Sequence, residues 1–322
     1  MLFIEKKIAI DYNYYIRVLL KSNFSKKRFI MLKNGFYTAL GTPLTEDGKV
    51  IERALRQHIE QQIDAGASGL LLLGSMGVQA SVLVSECTKA VDIAIDAIKG
   101  RVPLFVGVMD NSLVKVCERL DLIGAGRAID GVVLTVPYYA PPSEGDAIYW
   151  FKSLADRSPY PIYIYDLAVV TQFKVSMNVI DALISHPNIK GMKSANWELI
   201  MAIGRKYPDA EFECLYSGLD SFDHANVLGI TKNLDGMFAC TPKNGKLMYE
   251  CAAKGDINGV RKYLDNILLL RDTMAANGLM RCFTYCMNIL GVEGNFHQDY
   301  RMPTADNAKD IIFETMKKIG EI

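Results

Sequence analysis

The stretch HPNIKGMKSAN, residues 186–196, decides the reading of this chain. Ile189 to Met192 form a short apolar run, with Lys190 at its start, and Lys193 closes it. A strand here buries its end. A buried ammonium must lose its charge or find a partner. The run is therefore an edge strand, or Lys193 has a chemical task.

The surrounding sequence favours the task. From residue 36 to about 258, apolar strand candidates alternate with helical patterns. The candidates are Phe36–Gly41, Gly69–Leu73, Pro103–Val108, Gly131–Val136, Pro161–Tyr165, Ile189–Lys193, Phe212–Ser217 and Asp235–Cys240. Four are entered through glycine: ASGLLLLG, IDGVVLT, IKGMKSA and LDGMFAC. Between them Leu55, Ile59 and Ile63 recur every four residues, and Ala90, Ile93, Ala94 and Ile98 give a similar helical face, as do Val179, Leu183 and Ile184.

Apolar strands joined by helical crossovers imply a parallel sheet covered by helices. Eight such units over about 220 residues predict an α/β fold, a (β/α)8 TIM barrel. The rival, an open doubly wound sheet, usually carries a glycine-rich phosphate loop after its first strand, and GTPLTEDGK is not one. Past residue 258 the pattern is helical only: GVRKYLDNILLLRDTMAANG, LMRCFTYCMNILG and a helix after Pro303. The expected organisation is an N-terminal extension over 1–30, a barrel over 31–258 and a C-terminal helical bundle over 259–322. Residues 1–30 are basic and aromatic, with charges breaking every apolar stretch, unlike a signal peptide. They read as a poorly ordered appendage, or as a surface amphipathic arm.

Composition narrows the class. The chain has 322 residues, half of them hydrophobic, with 36 basic and 36 acidic side chains. That balance argues against a nucleic-acid or polyanion partner. No apolar run approaches the roughly 18–20 residues that span a bilayer, so no membrane partner is expected. Seven irregularly spaced cysteines do not form a disulfide framework, which points to the reducing cytoplasm. Cys282 and Cys286, four apart on a helix, read as packed thiols ahead of a metal or redox pair.

In a barrel, reactive groups collect at the carboxyl ends of the strands. Those ends offer Ser75, Tyr138 and Tyr139, Tyr165 and Asp166, Lys193, and then Ser217, Gly218 and Asp220. The four histidines, His58, His186, His224 and His297, are scattered and read as surface or helix-end residues, so neither a metal site nor a Ser-His-Asp triad is expected. A lysine, phenols, hydroxyls and a glycine-lined loop are the equipment of Schiff-base catalysis. A lysine desolvated in a barrel mouth loses its proton more easily and attacks ketones, and a phenol can move protons beside it.

This set resembles the pyruvate-dependent class I aldolases that include dihydrodipicolinate synthase and N-acetylneuraminate lyase, over roughly residues 33–320. GSMG stands for the family's Gly-Ser/Thr-Thr-Gly-Glu loop, VPYYAPP for its Thr-Pro-Tyr-Tyr segment, and IYIYDLA for its strand ending in Tyr-Asn-x-Pro. IKGMKSAN resembles the lysine strand, and the 28-residue step from Tyr165 to Lys193 fits. The resemblance implies that Lys193 forms an imine with a 2-oxo acid, without any other cofactor. Tyr165 would be the acid/base, Ser75 a proton relay, and Tyr139 the relay's end, reaching in from a neighbouring subunit of a dimer or tetramer. Substrate contacts would come from Gly74, Met76, Gly77, Gly218, Asp220, Phe238, Asp166 and Val170, with the loop amides of Ser75 and Met76 holding a carboxylate as an anion nest.

The departures from the family shape the expected substrate. Met76 replaces the second loop hydroxyl and Val78 the loop glutamate. Asp166 stands for Asn, Ala168 for Pro, and Val170 for the arginine that binds a second carboxylate in dihydrodipicolinate synthases. The leading expectation is a lyase of pyruvate-derived, sugar-acid-like aldols. A 2-keto-3-deoxy acid dehydratase, dihydrodipicolinate synthase itself, and a non-catalytic ligand-binding barrel are the alternatives.

Overall fold

The structure is a computed structural model and describes residues 30–124 and 126–322. Apart from Ile30, the expected N-terminal extension lies outside the described residues. Eight parallel strands close into a barrel in chain order, β8 pairing back to β1. They are β1 (Gly35–Ala39), β2 (Gly69–Leu72), β3 (Leu104–Gly107), β4 (Gly131–Leu134), β5 (Ile162–Asp166), β6 (Ile189–Ser194), β7 (Glu213–Tyr216) and β8 (Lys232–Asp235). Helices follow the strands: α1 (Glu52–Asp64), α2 (Val84–Ile98), α3 (Leu113–Ile123), α4 (Glu144–Arg157), the short α5 (Ala168–Thr171), α6 (Met177–Leu183), α7 (Trp197–Lys206), α8 (Phe222–Val227) and α9 (Pro242–Ala253). Then come α10 (Ile257–Asn277), α11 (Leu279–Ile289) and α12 (Asp306–Lys318). The (β/α)8 barrel with C-terminal helices is the fold that the sequence pattern predicts.

Local chemistry sets the helix starts. Ser143 and Asp146 form a reciprocal capping box at α4. Asn196 caps α7 by accepting from the Leu199 N–H, so β6 passes into its helix through a turn of a few residues. Val260, Leu264, Ile267, Leu270 and Met274 are buried along α10. That spacing is one helical face, and each such side chain contributes roughly 1.5–3 kcal/mol when fully buried. They share one core with the barrel helices.

The inside of the barrel explains the strand-entry glycines. A Cβ on Gly69 would lie 2.5 Å from the Tyr37 ring, and one on Gly131 2.6 Å from that of Tyr163. A Cβ on Gly191 would meet the same ring at 2.7 Å and the Glu213 carbonyl oxygen at 2.3 Å. The missing side chains leave room for Tyr37, Tyr163 and Phe105, whose packing fills the lower barrel.

Strand eight corrects an expectation. The predicted strand Asp235–Cys240 is not one: β8 is the polar-looking KNLD, and Met237–Ala239 form a 3₁₀ turn. Short apolar runs are buried alike in a sheet or under helices, so periodicity cannot separate the two. Gly236 thus follows its strand. Phe238 is fully buried against Phe36 and Tyr249, away from the barrel mouth. The histidines bring a second correction. His58 is wholly buried on α1, edge-on to Phe296, and is no surface residue. Cys282 and Cys286 are free buried thiols.

Candidate active site

The register of β5 and β6 builds the centre of the site. Tyr165 pairs with Lys193, so both side chains leave the sheet on the same side. Tyr163, two residues earlier, already points into the barrel, and the strand's two-residue period turns Tyr165 the same way. Lys193 and Tyr165 are each 5% exposed. The Lys193 Nζ donates to the Tyr165 hydroxyl at 3.1 Å and lies 4.2 Å from the ring centroid. The hydroxyls of Tyr165 and Ser75 are 3.1 Å apart. Lysine, phenol and serine therefore form one chain of contacts.

They face a cavity of about 790 Å³ at the carboxyl ends of the strands. Met76, Asp166, Val170, Lys174 and Asp235 line it, as do Trp197 on α7 and Leu279 and Met280 on α11. Asp166 lines the cavity but spends its carboxylate on the Ser194 hydroxyl at 2.6 Å and the Val175 N–H at 3.1 Å. Sequence reasoning missed Asp235 as a site residue, because it had been assigned to the start of the misframed strand. Burial raises the Asp235 carboxyl above the usual carboxylate range, while the Lys193 and Arg271 charges pull it down.

The loop from Gly74 to Gly77 is held by strain at both edges. Leu73 and Val78 have φ of 56° and 46°, the left-handed region that branched side chains rarely adopt. Among the described residues, no backbone hydrogen bond takes up the Ser75 or Met76 N–H. Two free amides at the cavity wall can hold an anion such as a carboxylate. Gly236 lets Met76 lie there, since a Cβ on it would sit 2.8 Å from the methionine Cε.

Other expected residues stand apart. Asp220 does not line the cavity: its carboxylate is forked onto Arg271 at 2.6 and 2.7 Å. Gly74, Gly77 and Gly218 shape turns without lining it. Tyr139 is 90% exposed, held by its N–H donating to Asn111 Oδ1. Among the described residues no group of His, Cys, Asp and Glu could hold a metal ion, and no helix is long and apolar enough to cross a membrane.

A closed (β/α)8 barrel with a buried lysine and phenol at its mouth is the architecture of a class I aldolase or lyase, and this chain is such an enzyme. It belongs to the dihydrodipicolinate synthetase family, whose profile matches residues 32–321. A 4-hydroxy-tetrahydrodipicolinate synthase of Acidiphilium cryptum is 26% identical over 294 residues, spanning 89% of this chain and 98% of the relative. One from Ligilactobacillus salivarius is 28% identical over 72% of this chain and 80% of its own length. Among solved structures, a prophage protein of the dihydrodipicolinic acid synthase family from E. coli K12, in complex with pyruvate, superimposes with a TM-score of 0.81 at 20% identity, over 90% of this chain and 99% of that one. A Clostridium difficile protein in complex with mannosamine gives 0.79 at 20% identity, over 90% and 100%.

Proposed function

We propose that the chain is a Schiff-base lyase that cleaves or forms the C3–C4 bond of a 2-oxo acid. The contact chain from Lys193 through Tyr165 to Ser75 carries this reading. Lys193, as the neutral amine, attacks the C2 carbonyl carbon, and the oxygen takes a proton from Tyr165. Loss of that oxygen as water leaves an iminium, which is an electron sink. Tyr165 then takes the proton of the C4 hydroxyl, the C3–C4 bond breaks, and its electrons form an enamine while the aldehyde departs. Protonation at C3 and hydrolysis release pyruvate and restore the lysine. The loop amides of Ser75 and Met76 hold the carboxylate. Tyr139, exposed on the single chain, completes the relay from a neighbouring subunit, so the working form is a homo-oligomer.

A second reading rests on the names of the relatives and on Lys174. Val170 cannot bind a second carboxylate, but Lys174, four residues on, lines the same cavity. Condensation of pyruvate with aspartate semialdehyde would use that ammonium. Incubation with pyruvate and borohydride, followed by intact mass, tests the first step of both readings. A pyruvyl adduct that disappears in Lys193→Ala supports them. A folded protein without an adduct sinks both, and aspartate semialdehyde turnover, lost in Lys174→Ala, selects the second.

A further inference from the structure

Residues 137–142, PYYAPP, lie between β4 and α4 and carry Tyr139. Pro137, Pro141 and Pro142 have no backbone N–H to donate. Among the described residues, no backbone–backbone hydrogen bond involves this segment. Its main chain is held at one point instead. The N–H groups of Tyr138 and Tyr139 both donate to Asn111 Oδ1, at 2.9 and 2.8 Å. A carboxamide oxygen has two lone pairs and can accept both.

Asn111 is itself fixed by the loop between β3 and α3. Its N–H donates to Asp110 Oδ1 at 2.7 Å. Asp110 is 7% exposed, and its other oxygen accepts from Arg119 Nε at 3.1 Å and Nη2 at 2.9 Å. Charge-assisted bonds of this kind are the strong ones, and here they tie the loop to α3. Ser112, the next residue, caps the same helix by accepting from the Lys115 N–H. The helix thus holds Asp110, Asp110 holds Asn111, and Asn111 holds the two tyrosine amides.

The Tyr139 ring is 90% exposed and does not line the Lys193 cavity of its own chain. A ring so exposed is aimed by its backbone, since little packs against it. We propose that Asn111 is a positioning residue, which fixes the Tyr139 backbone so that the phenol reaches the proton relay of a neighbouring subunit. The inference rests on the relay reading of Tyr139 and deepens it.

Exchange of the pyruvate methyl protons in heavy water, followed by NMR, tests it without an aldehyde partner. Each variant of the full chain is assayed where light scattering gives the wild-type mass, and the borohydride-trapped adduct on Lys193 is measured in parallel. Asn111→Ala should slow exchange at saturating pyruvate roughly 10²-fold with little change in KM, as misplacement of a reacting group does. Tyr139→Phe should slow it at least as much. The double variant should be no slower than Tyr139→Phe, because no phenol is left to position. Asn111→Asp keeps the acceptor and should recover most of the rate. Losses that multiply in the double variant, an unchanged rate in Asn111→Ala, or an aspartate variant as slow as the alanine one would overturn this inference alone. An unchanged rate in Tyr139→Phe would overturn the relay reading of Tyr139 and this inference, with the Lys193 adduct still standing. The absence of any adduct would overturn the lyase reading as well. Where Asn111→Ala does not fold, Asn111→Ser, whose hydroxyl is too short to reach both amides, runs the same cycle.

Discussion

Asp166 and Ser194 stand in register on β5 and β6, one residue beyond Tyr165 and Lys193, and the serine hydroxyl donates to the carboxylate at 2.6 Å. One register thus sets two pairs, a reactive pair facing into the barrel and a structural pair on the other face. The outer pair braces the inner one. Asp166→Ala leaves the buried Ser194 hydroxyl and the Val175 N–H short of an acceptor. It should cost about 1–3 kcal/mol in urea unfolding and slow turnover as Tyr165 drifts from Lys193. Asp166→Asn retains an acceptor and should cost less. Equal losses from both variants would refute the brace.

Tyr165→Phe removes the hydroxyl that touches both Lys193 and Ser75. Turnover should fall about 10²–10⁴-fold, the range for loss of a general acid or base. Ser75→Ala should cost less, since the phenol stays. Steady-state kinetics with a common 2-oxo acid substrate would show the order, and a larger loss for Ser75→Ala would invert the assigned roles.

His58 predicts an acid limit. Burial holds its imidazole down at about 3, against an ordinary 6.5. Between those values the unfolded chain binds a proton that the native state refuses, so stability falls as pH drops. The loss from this group should reach roughly 3 kcal/mol between pH 7 and pH 4. His58→Phe keeps a ring beside Phe296 and removes the ionisation. Denaturant unfolding at both pH values should show a shallower decline in the variant, and parallel declines would exclude His58 as the cause.

Asp235 has the opposite sign. Its carboxyl is raised by burial, so the native state holds the proton longer than the unfolded chain does. Stability is lost as pH rises from the ordinary carboxylate value of 3.8 through the raised one, and the loss persists above it. Asp235→Asn keeps an acceptor for the Met237 N–H and removes the charge. Relative to wild type it should gain stability on going from acid to neutral pH. A variant less stable at neutral pH would show that attraction to Lys193 and Arg271 outweighs burial.

Much of the architecture is legible in the chain because seven strands announce themselves as apolar runs. KNLD does not, and the buried GMFAC beside it took its place. The lysine, the phenol and the loop serine were legible as residues at strand ends, and the register then brought them together. Asp220 was misleading for a physical reason: its neutralising partner, Arg271, is 51 residues away and unseen in any local window. The hold of Asn111 on the Tyr138 and Tyr139 amides was invisible for the same reason, since 27 and 28 residues separate the partners.

The tyrosine-filled floor of the barrel has a stereochemical consequence. Tyr37, Tyr163 and Phe105 pack the barrel interior, and the cavity that Lys193 lines lies at the carboxyl ends of the strands. An enamine held on Lys193 would take its proton from the side of Tyr165, whose hydroxyl the lysine touches. With a substrate carrying one deuterium of known configuration at C3 and tritium in the solvent, turnover should therefore give a chiral methyl group of one handedness. The handedness of that label would be written into the barrel by glycines at the entrances to its strands.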